Sequence, residues 1–349
     1  MKPDTLLYSL MKSIVSPVSG WVLLFMVIVS PLFEGVLGQN TASPPPVVKA
    51  EFVSELSLPG QNNQLLRPSA IHIDRQFNEV LISDPGHNRI VIFDNKGIYR
   101  FEFSGGENFS TPGDLVVDSE GQIYVVGTTR EGRRLFVFDF DGLFLHELEL
   151  FTPQDSRVAI GSLAIDEQDE LVVYDPRRHV IVRFNTTGEF VTEFHLFPEL
   201  SERTLNEMIV GKVTAEQGKL LLPVPTLGKV YVYSRDGDLI KVLGYSGSRA
   251  GEMTFPVKAL FTPDSSMLVL DKHRHNVLCF NQNYDFIGEF GGRGFNPGWF
   301  YHPTLLAIDA EEQIYIGQVF ANRIQICQFP EEISNRRPTT TTNSSSEIN

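Results

Sequence analysis

An aromatic residue, three turn-type residues and a glycine recur along this chain. The copies are Phe93-Asp-Asn-Lys-Gly97, Phe138-Asp-Phe-Asp-Gly142, Phe184-Asn-Thr-Thr-Gly188 and Tyr233-Ser-Arg-Asp-Gly237. A degenerate fifth copy reads Phe280-Asn-Gln-Asn-Tyr284. Successive aromatics stand 45, 46, 49 and 47 residues apart, the length of one four-stranded propeller blade. Glycine at the end of the phrase fits a hairpin that needs positive φ, a conformation only glycine adopts cheaply. In the fifth copy Asn283 is expected to take that conformation in place of Tyr284. The repeat predicts an all-β, six-bladed β-propeller. It says nothing about a reaction, because one scaffold hosts many functions.

Short apolar runs bounded by Asp, Asn and Gly place the inner strands over 70–74, 114–118, 162–166, 212–216, 258–261 and 305–309. The sixth unit stops after Arg323-Ile-Gln-Ile-Cys-Gln-Phe329 with no outermost strand behind it. Phe52-Val-Ser-Glu-Leu56 resembles Phe190-Val-Thr-Glu-Phe194, the outer strand of the third unit. Residues 51–58 are therefore expected to complete the last blade and close the ring, which would otherwise leave two blade faces and a strand edge unpaired.

The chain divides into residues 1–38, a signal peptide or signal anchor, a proline-rich linker over 39–50, the propeller over 51–329, and a polar tail over 330–349. Trp21 to Val29 is an uninterrupted apolar run, followed by the small-residue site Val36-Leu37-Gly38. Cleavage there would release an extracytoplasmic protein, secreted or periplasmic, while an uncleaved segment 21–37 would tether it to a membrane. Met11 is an alternative start. Net charge is −14, which opposes general nucleic-acid binding. Cys279 and Cys327 lie in strands of neighbouring repeats, one register apart, so they should face opposite sheet sides and remain free thiols. Asn108-Phe-Ser, Asn185-Thr-Thr and Asn343-Ser-Ser match the glycosylation triplet, a weak signal.

Gly291-Gly-Arg-Gly-Phe-Asn-Pro-Gly-Trp-Phe-Tyr-His-Pro303, then Leu305-Leu-Ala-Ile-Asp309, resembles the NHL-repeat family. Asp84-Pro-Gly-His-Asn-Arg89-Ile and Asn322-Arg323-Ile match that family's Asn-Arg element before the third strand. The resemblance spans roughly 51–329 and implies a six-bladed propeller. Blade four departs most, at Leu222-Pro-Val-Pro-Thr, and blades three and five carry Val180 and Asn276 where the family has Arg.

Assigning turns to faces separates the charges. First-to-second and third-to-fourth turns are acid-rich; second-to-third loops carry His87, Arg89, Arg130, Arg133, Arg134, Arg177, Arg178, His179, Lys272, His273, Arg274, His275 and Arg323. That basic face could steer an anionic protein partner; the competing reading makes these residues solvated punctuation of the repeat. Arg177-Arg178-His179 and Lys272-His273-Arg274-His275 exceed what the pattern requires. Some similar propellers, the peptidyl-amidoglycolate lyases, hold zinc with three histidines in the channel. Zinc needs three or four converging ligands, and only His72 and His302 lie on or beside inner strands, so no metal, cofactor or catalytic residue is assigned. RNA binding, known for some NHL propellers, would need exposed aromatics beside the bases, with Trp299 and Phe320 as candidates. Phe295, Trp299, Phe300 and Tyr301 are otherwise expected to fill the joint between blades five and six. The sequence favours an exported, non-catalytic binding or scaffold propeller, with a metal-dependent lyase or an RNA-binding module as alternatives.

Overall fold

The computed structural model describes residues 48–60 and 63–330; the targeting segment, most of the linker and the tail beyond 330 lie outside them. Six four-stranded antiparallel sheets follow one another around a ring. Their inner strands are Ala70–Asp74, Leu115–Val117, Ser162–Ile165, Thr214–Glu216, Pro256–Phe261 and Leu305–Ile308, within a few residues of the expected spans. Glu51–Glu55 pairs antiparallel with Arg323–Gln328, Phe52 opposite Cys327 and Glu55 opposite Gln325. The N-terminal strand thus completes blade six, and the ring closes as the sequence implied.

Period-two alternation explains the core. Side chains of a strand point alternately to its two faces, and in a propeller both faces of a middle strand pack on neighbouring blades. Middle strands are therefore buried on both faces and mostly apolar, as in Val180–Phe184, where all five residues are buried and Arg183 is the single charged one. Six hydrophobic clusters result, one at each joint between blades. Leu56 and Leu58, just after the closing strand, enter the joint between blades six and one. Cys279 and Cys327 are both buried as thiols. Opposite faces of adjacent blades meet, so both thiols enter the single joint between blades five and six.

The repeated phrase has a division of labour. Its aromatics Phe93, Phe138, Phe184, Tyr233 and Phe280 are buried in the joints. The following Asp, Asn or Ser caps the hairpin: Asp94 Oδ1 accepts from the Lys96 and Ile98 amides at 3.0 and 2.9 Å, and Asn281 Oδ1 accepts from Asn283 and Asp285. Gly142 turns with φ 79° against the Phe103 ring. In the fifth copy the left-handed residue is Tyr284 itself, φ 66°, not Asn283. Its ring packs on the joint between blades four and five, and that packing offsets a conformational cost of about 1–2 kcal/mol.

Two departures from the expectation are local. A short helix, Glu202–Glu207, capped by Ser201, precedes blade four. Blade four itself forms all its pairings despite the prolines: Pro223 sits opposite Val230, and a 3-10 turn at Pro225–Leu227 ends on left-handed Gly228. Among the described residues no helix is long and apolar enough to cross a membrane.

Candidate functional site

The second-to-third loops show why the repeat needs its arginines. Buried Asp84 accepts from Arg89 Nε at 2.8 Å, and Arg89 continues to Glu102 on the outer strand at 2.8 Å. Asn88 makes the left-handed turn between them. The same tie recurs with the cation moved along the chain: Arg178 joins Asp175 and Glu193, Arg274 grips both oxygens of Glu289 at 2.7 Å, and Arg134 reaches Glu147. Arg323 lies 3.9 Å from Glu55 on the closing strand. Blades three and five thus recover the missing arginine from two residues earlier, while His179 and His275 occupy the left-handed position of Asn88. Arg178 and Arg274 are therefore part of the repeat's own framework.

The remaining sequence candidates divide further. His87 Nδ1 lies 2.8 Å from Asp84, Arg133 donates to the Gly161 carbonyl, and His179 Nδ1 meets the Tyr174 hydroxyl at 2.8 Å. Among the described residues, Arg130, Arg177 and Lys272 have no carboxylate within ion-pair distance. Only Lys272 stands in an aromatic setting: its Nζ lies 6.0 Å from the Phe255 ring centre and 5.9 Å from that of Phe320.

That setting is a run of rings where blades five and six meet. Phe255 stacks on His273 at 4.3 Å; His273 and His275 both approach His302, at 6.2 and 4.7 Å; Tyr301 lies 4.7 Å from His302 and from Phe295. Phe300 is buried in the joint, but Phe295 and Phe320 are 63% and 68% exposed, and Trp299 is exposed as well. The expectation that all four aromatics fill the joint therefore holds for Phe300, which packs there with Phe290 and Phe329, and fails for Phe295 and Trp299, while Tyr301 is half-buried outside that cluster. Burial lowers the His302 pKa, with Lys272, His273 and Arg293 adding to the effect. Burial and the His302, Arg293 and His273 charges outweigh Asp271 and lower that of His275. Asp271 offers this surface no free acid, since its oxygens accept the amides of Thr254, Phe255, His273 and Arg274. The three histidines meet ring to ring, and His275 Nδ1 is spent on the His302 amide at 2.9 Å. Among the described residues, no set of three His, Cys, Asp or Glu is arranged to hold a metal ion. Sequence reasoning placed His273 and His275 in a mid-blade loop and His302 apart from them, beside an inner strand; the signal it missed is that His302 comes back beside that loop.

The inner strands enclose a channel cavity of about 410 Å³. Adjacent inner strands splay apart, so side chains bridge their backbone edges. Val117 N donates to His72 Nε2 at 3.3 Å, Leu163 N to Asp114, Val213 N to Ser162 Oγ, and Lys258 Nζ to the Val213 carbonyl at 3.0 Å. Lys212 pairs with Asp114. Burial, with Lys258 and Arg75 nearby, pushes His72 down to about 4 and keeps it neutral. Burial likewise lowers Lys258 to about 8, against the pull of Glu216 and Asp114, with Lys212 adding to the lowering. Burial raises Glu216 despite the Phe261 amide, Lys258 and Arg75. Towards the first-to-second turns the lining is acidic, with Asp118, Glu167, Asp169 and Glu216.

No protein-family profile matches the chain, and no curated protein resembles it in sequence. Solved structures resemble it in fold. A streptogramin B lyase aligns over 80% of this chain and 98% of its own, with TM-score 0.57 and 12% identity. Virginiamycin B lyase from Staphylococcus aureus gives 0.57 and 12% over 81% of this chain and all of its own. An auxiliary nutrient binding protein from Bacteroides ovatus ATCC 8483 gives 0.57 and 14% over 80% of this chain and 77% of its own. At such identities these likenesses establish a β-propeller and nothing about chemistry.

Proposed function

We propose that the protein is an exported binding propeller of the NHL type whose loop face, at the meeting of blades five and six, docks an acidic segment of a partner protein. The observation that carries this reading is the aromatic–histidine run crossed by Lys272. Elsewhere on the loop face most of the arginines answer a carboxylate of their own blade. Here Lys272, Arg293 and three histidines surround exposed Phe295 and Phe320 with no free acid from Asp271. Rigid aromatic area ringed by cations is the composition of interface hot spots, and its charge selects an anionic partner even though the whole protein is acidic. The apolar run at Trp21–Val29 supports export, and the Asp84–Arg89 tie gives the NHL-like motif a structural purpose.

Selection from a random peptide library tests the reading, with the full chain as bait and Lys272→Glu/Phe320→Ala as counter-bait. Enriched peptides should combine acidic and aromatic residues and lose at least tenfold in affinity on the counter-bait. Peptides that bind both baits equally would remove this surface from consideration.

A further inference from the structure

The channel holds a cation without a counter-ion. Lys258 Nζ donates to the Val213 carbonyl at 3.0 Å, and among the described residues no carboxylate lies within ion-pair distance of it. The acids on either side are engaged: Asp114 with Lys212 and the Leu163 amide, Glu216 with the Phe261 amide and, at 4.0 Å, with Arg75. An ammonium has three donors, so Lys258 retains donors for a guest. Much of the wall is apolar, with Ile71, Leu163, Ala164, Leu260, Leu305 and Ala307, while Ser69, Thr304 and the Lys212–Asp114 pair also line the cavity. A cation in low-dielectric walls lacking an anion is costly, and an entering anion relieves the cost.

The other end of the cavity limits what that anion can be. Asp74, Asp118, Glu167, Asp169 and Glu216 gather towards the first-to-second turns and outnumber Arg75 there, three residues along the strands from Lys258, or about 10 Å. A second anionic group would meet them and be repelled; a hydroxyl would find acceptors. One unpaired lysine, a point charge without a guanidinium's fork, suits a single negative charge better than a phosphate dianion. The cavity, about 410 Å³, falls in the size range of small-molecule sites.

We infer that the channel is a binding site for a small amphipathic monocarboxylate, its carboxylate on Lys258 and its apolar body along the inner-strand walls, with any hydroxyl tail towards Glu216 and Asp118. The site is separate from the loop-face surface, so either reading can fail without the other.

Calorimetric titration of the full chain with hexanoate, 6-hydroxyhexanoate, adipate, hexylamine and inorganic phosphate tests the site. Both monocarboxylates should bind, the hydroxy acid at least as tightly, with adipate at least tenfold weaker and hexylamine and phosphate silent. Lys258→Met should abolish hexanoate binding while Lys219→Met, on the second strand of blade four, leaves it intact. Wild-type protein supplies a check that needs no channel variant. In reductive methylation with labelled formaldehyde, Lys258 should react among the fastest lysines at pH 8, and saturating hexanoate should slow it at least tenfold. Phosphate or adipate binding as well as hexanoate, retention in Lys258→Met, or methylation of Lys258 unaffected by hexanoate would each overturn the assignment.

Discussion

Replacing Leu56 with alanine probes ring closure at one residue. Leu56 follows the closing strand, is 5% exposed and packs in the joint between blades six and one with Leu58 and Ile326. Its amide donates to the Ile324 carbonyl at 3.0 Å, and Gly97 of blade one comes close to its side chain. A buried Leu→Ala change costs about 2–5 kcal/mol through lost transfer energy and residual cavity. The whole segment is worth more. Burying Leu56 and Leu58 contributes roughly 3–6 kcal/mol, and several strand hydrogen bonds add about 0.5–1.5 each. Together these rival the roughly 5–15 kcal/mol that holds a typical domain folded, so deleting residues 48–58 should prevent a stable ring. Urea denaturation followed by fluorescence of Trp299, the tryptophan within the propeller segment, measures Leu56→Ala against Val53→Ala. Val53 is on the same strand but 50% exposed, and its change should fall within about 0.5 kcal/mol. Equal midpoints for Leu56→Ala and the parent, or equal losses in both variants, would show that the N-terminal strand merely decorates blade six.

Four further outcomes follow from the geometry. Arg183 is 1% exposed and joins Asp166 and Glu170, which Arg235 also reaches at 3.1 and 2.7 Å, so Arg183→Ala/Arg235→Ala should cost about 3–5 kcal/mol by stranding buried acid and Arg183→Ala alone clearly less. Burial pushes Asp166 up, but Arg183 and the turn amides outweigh it and hold its pKa below the usual value. The pair's contribution is therefore present above about pH 4 and lost as pH falls through the folded pKa; urea midpoints against pH should show that acid limb shrinking in Arg183→Ala. Gly142→Ala adds a Cβ 2.5 Å from the Phe103 ring at φ 79°, whereas Gly218→Ala at φ 65° meets nothing; the first should cost at least about 1 kcal/mol more in thermal unfolding. Burial raises the Cys327 thiol to about 12, so a thiol reagent at pH 8 should leave it unmodified until denaturant is added. Acidic-peptide binding should strengthen only as pH falls below the ordinary histidine range, because burial and neighbouring cations hold His275 and His302 neutral until then; fluorescence titration over a descending pH series reads it.

The ring was legible in sequence because its determinants are local and repeated. The aromatic, the capping Asx and the left-handed glycine each act within five residues, and the missing sixth outer strand could be recognised by likeness to Phe190–His195. Tyr284 was misassigned because the packing that offsets its left-handed backbone comes from the neighbouring blade. The candidate surfaces were less legible for the same reason. Arg178 and Arg274 looked surplus because their partners, Glu193 and Glu289, lie 15 residues further on in the outer strands. His302 meets His275 from 27 residues away. The channel was invisible, since Lys258 and Glu216 come together only when six strands converge on one axis. The charge bias of the loops could be read in sequence, but not which charges remain free.

Hydrogen exchange on the full chain tests the proposed docking surface most directly, with and without a saturating acidic–aromatic peptide from the selection. The account predicts slowed exchange over residues 272–276, 293–302 and 319–322, with the acidic hairpins of blades one to three unchanged. Protection confined to those hairpins or to the outer strands, with 272–276 and 293–302 unaffected, would contradict it.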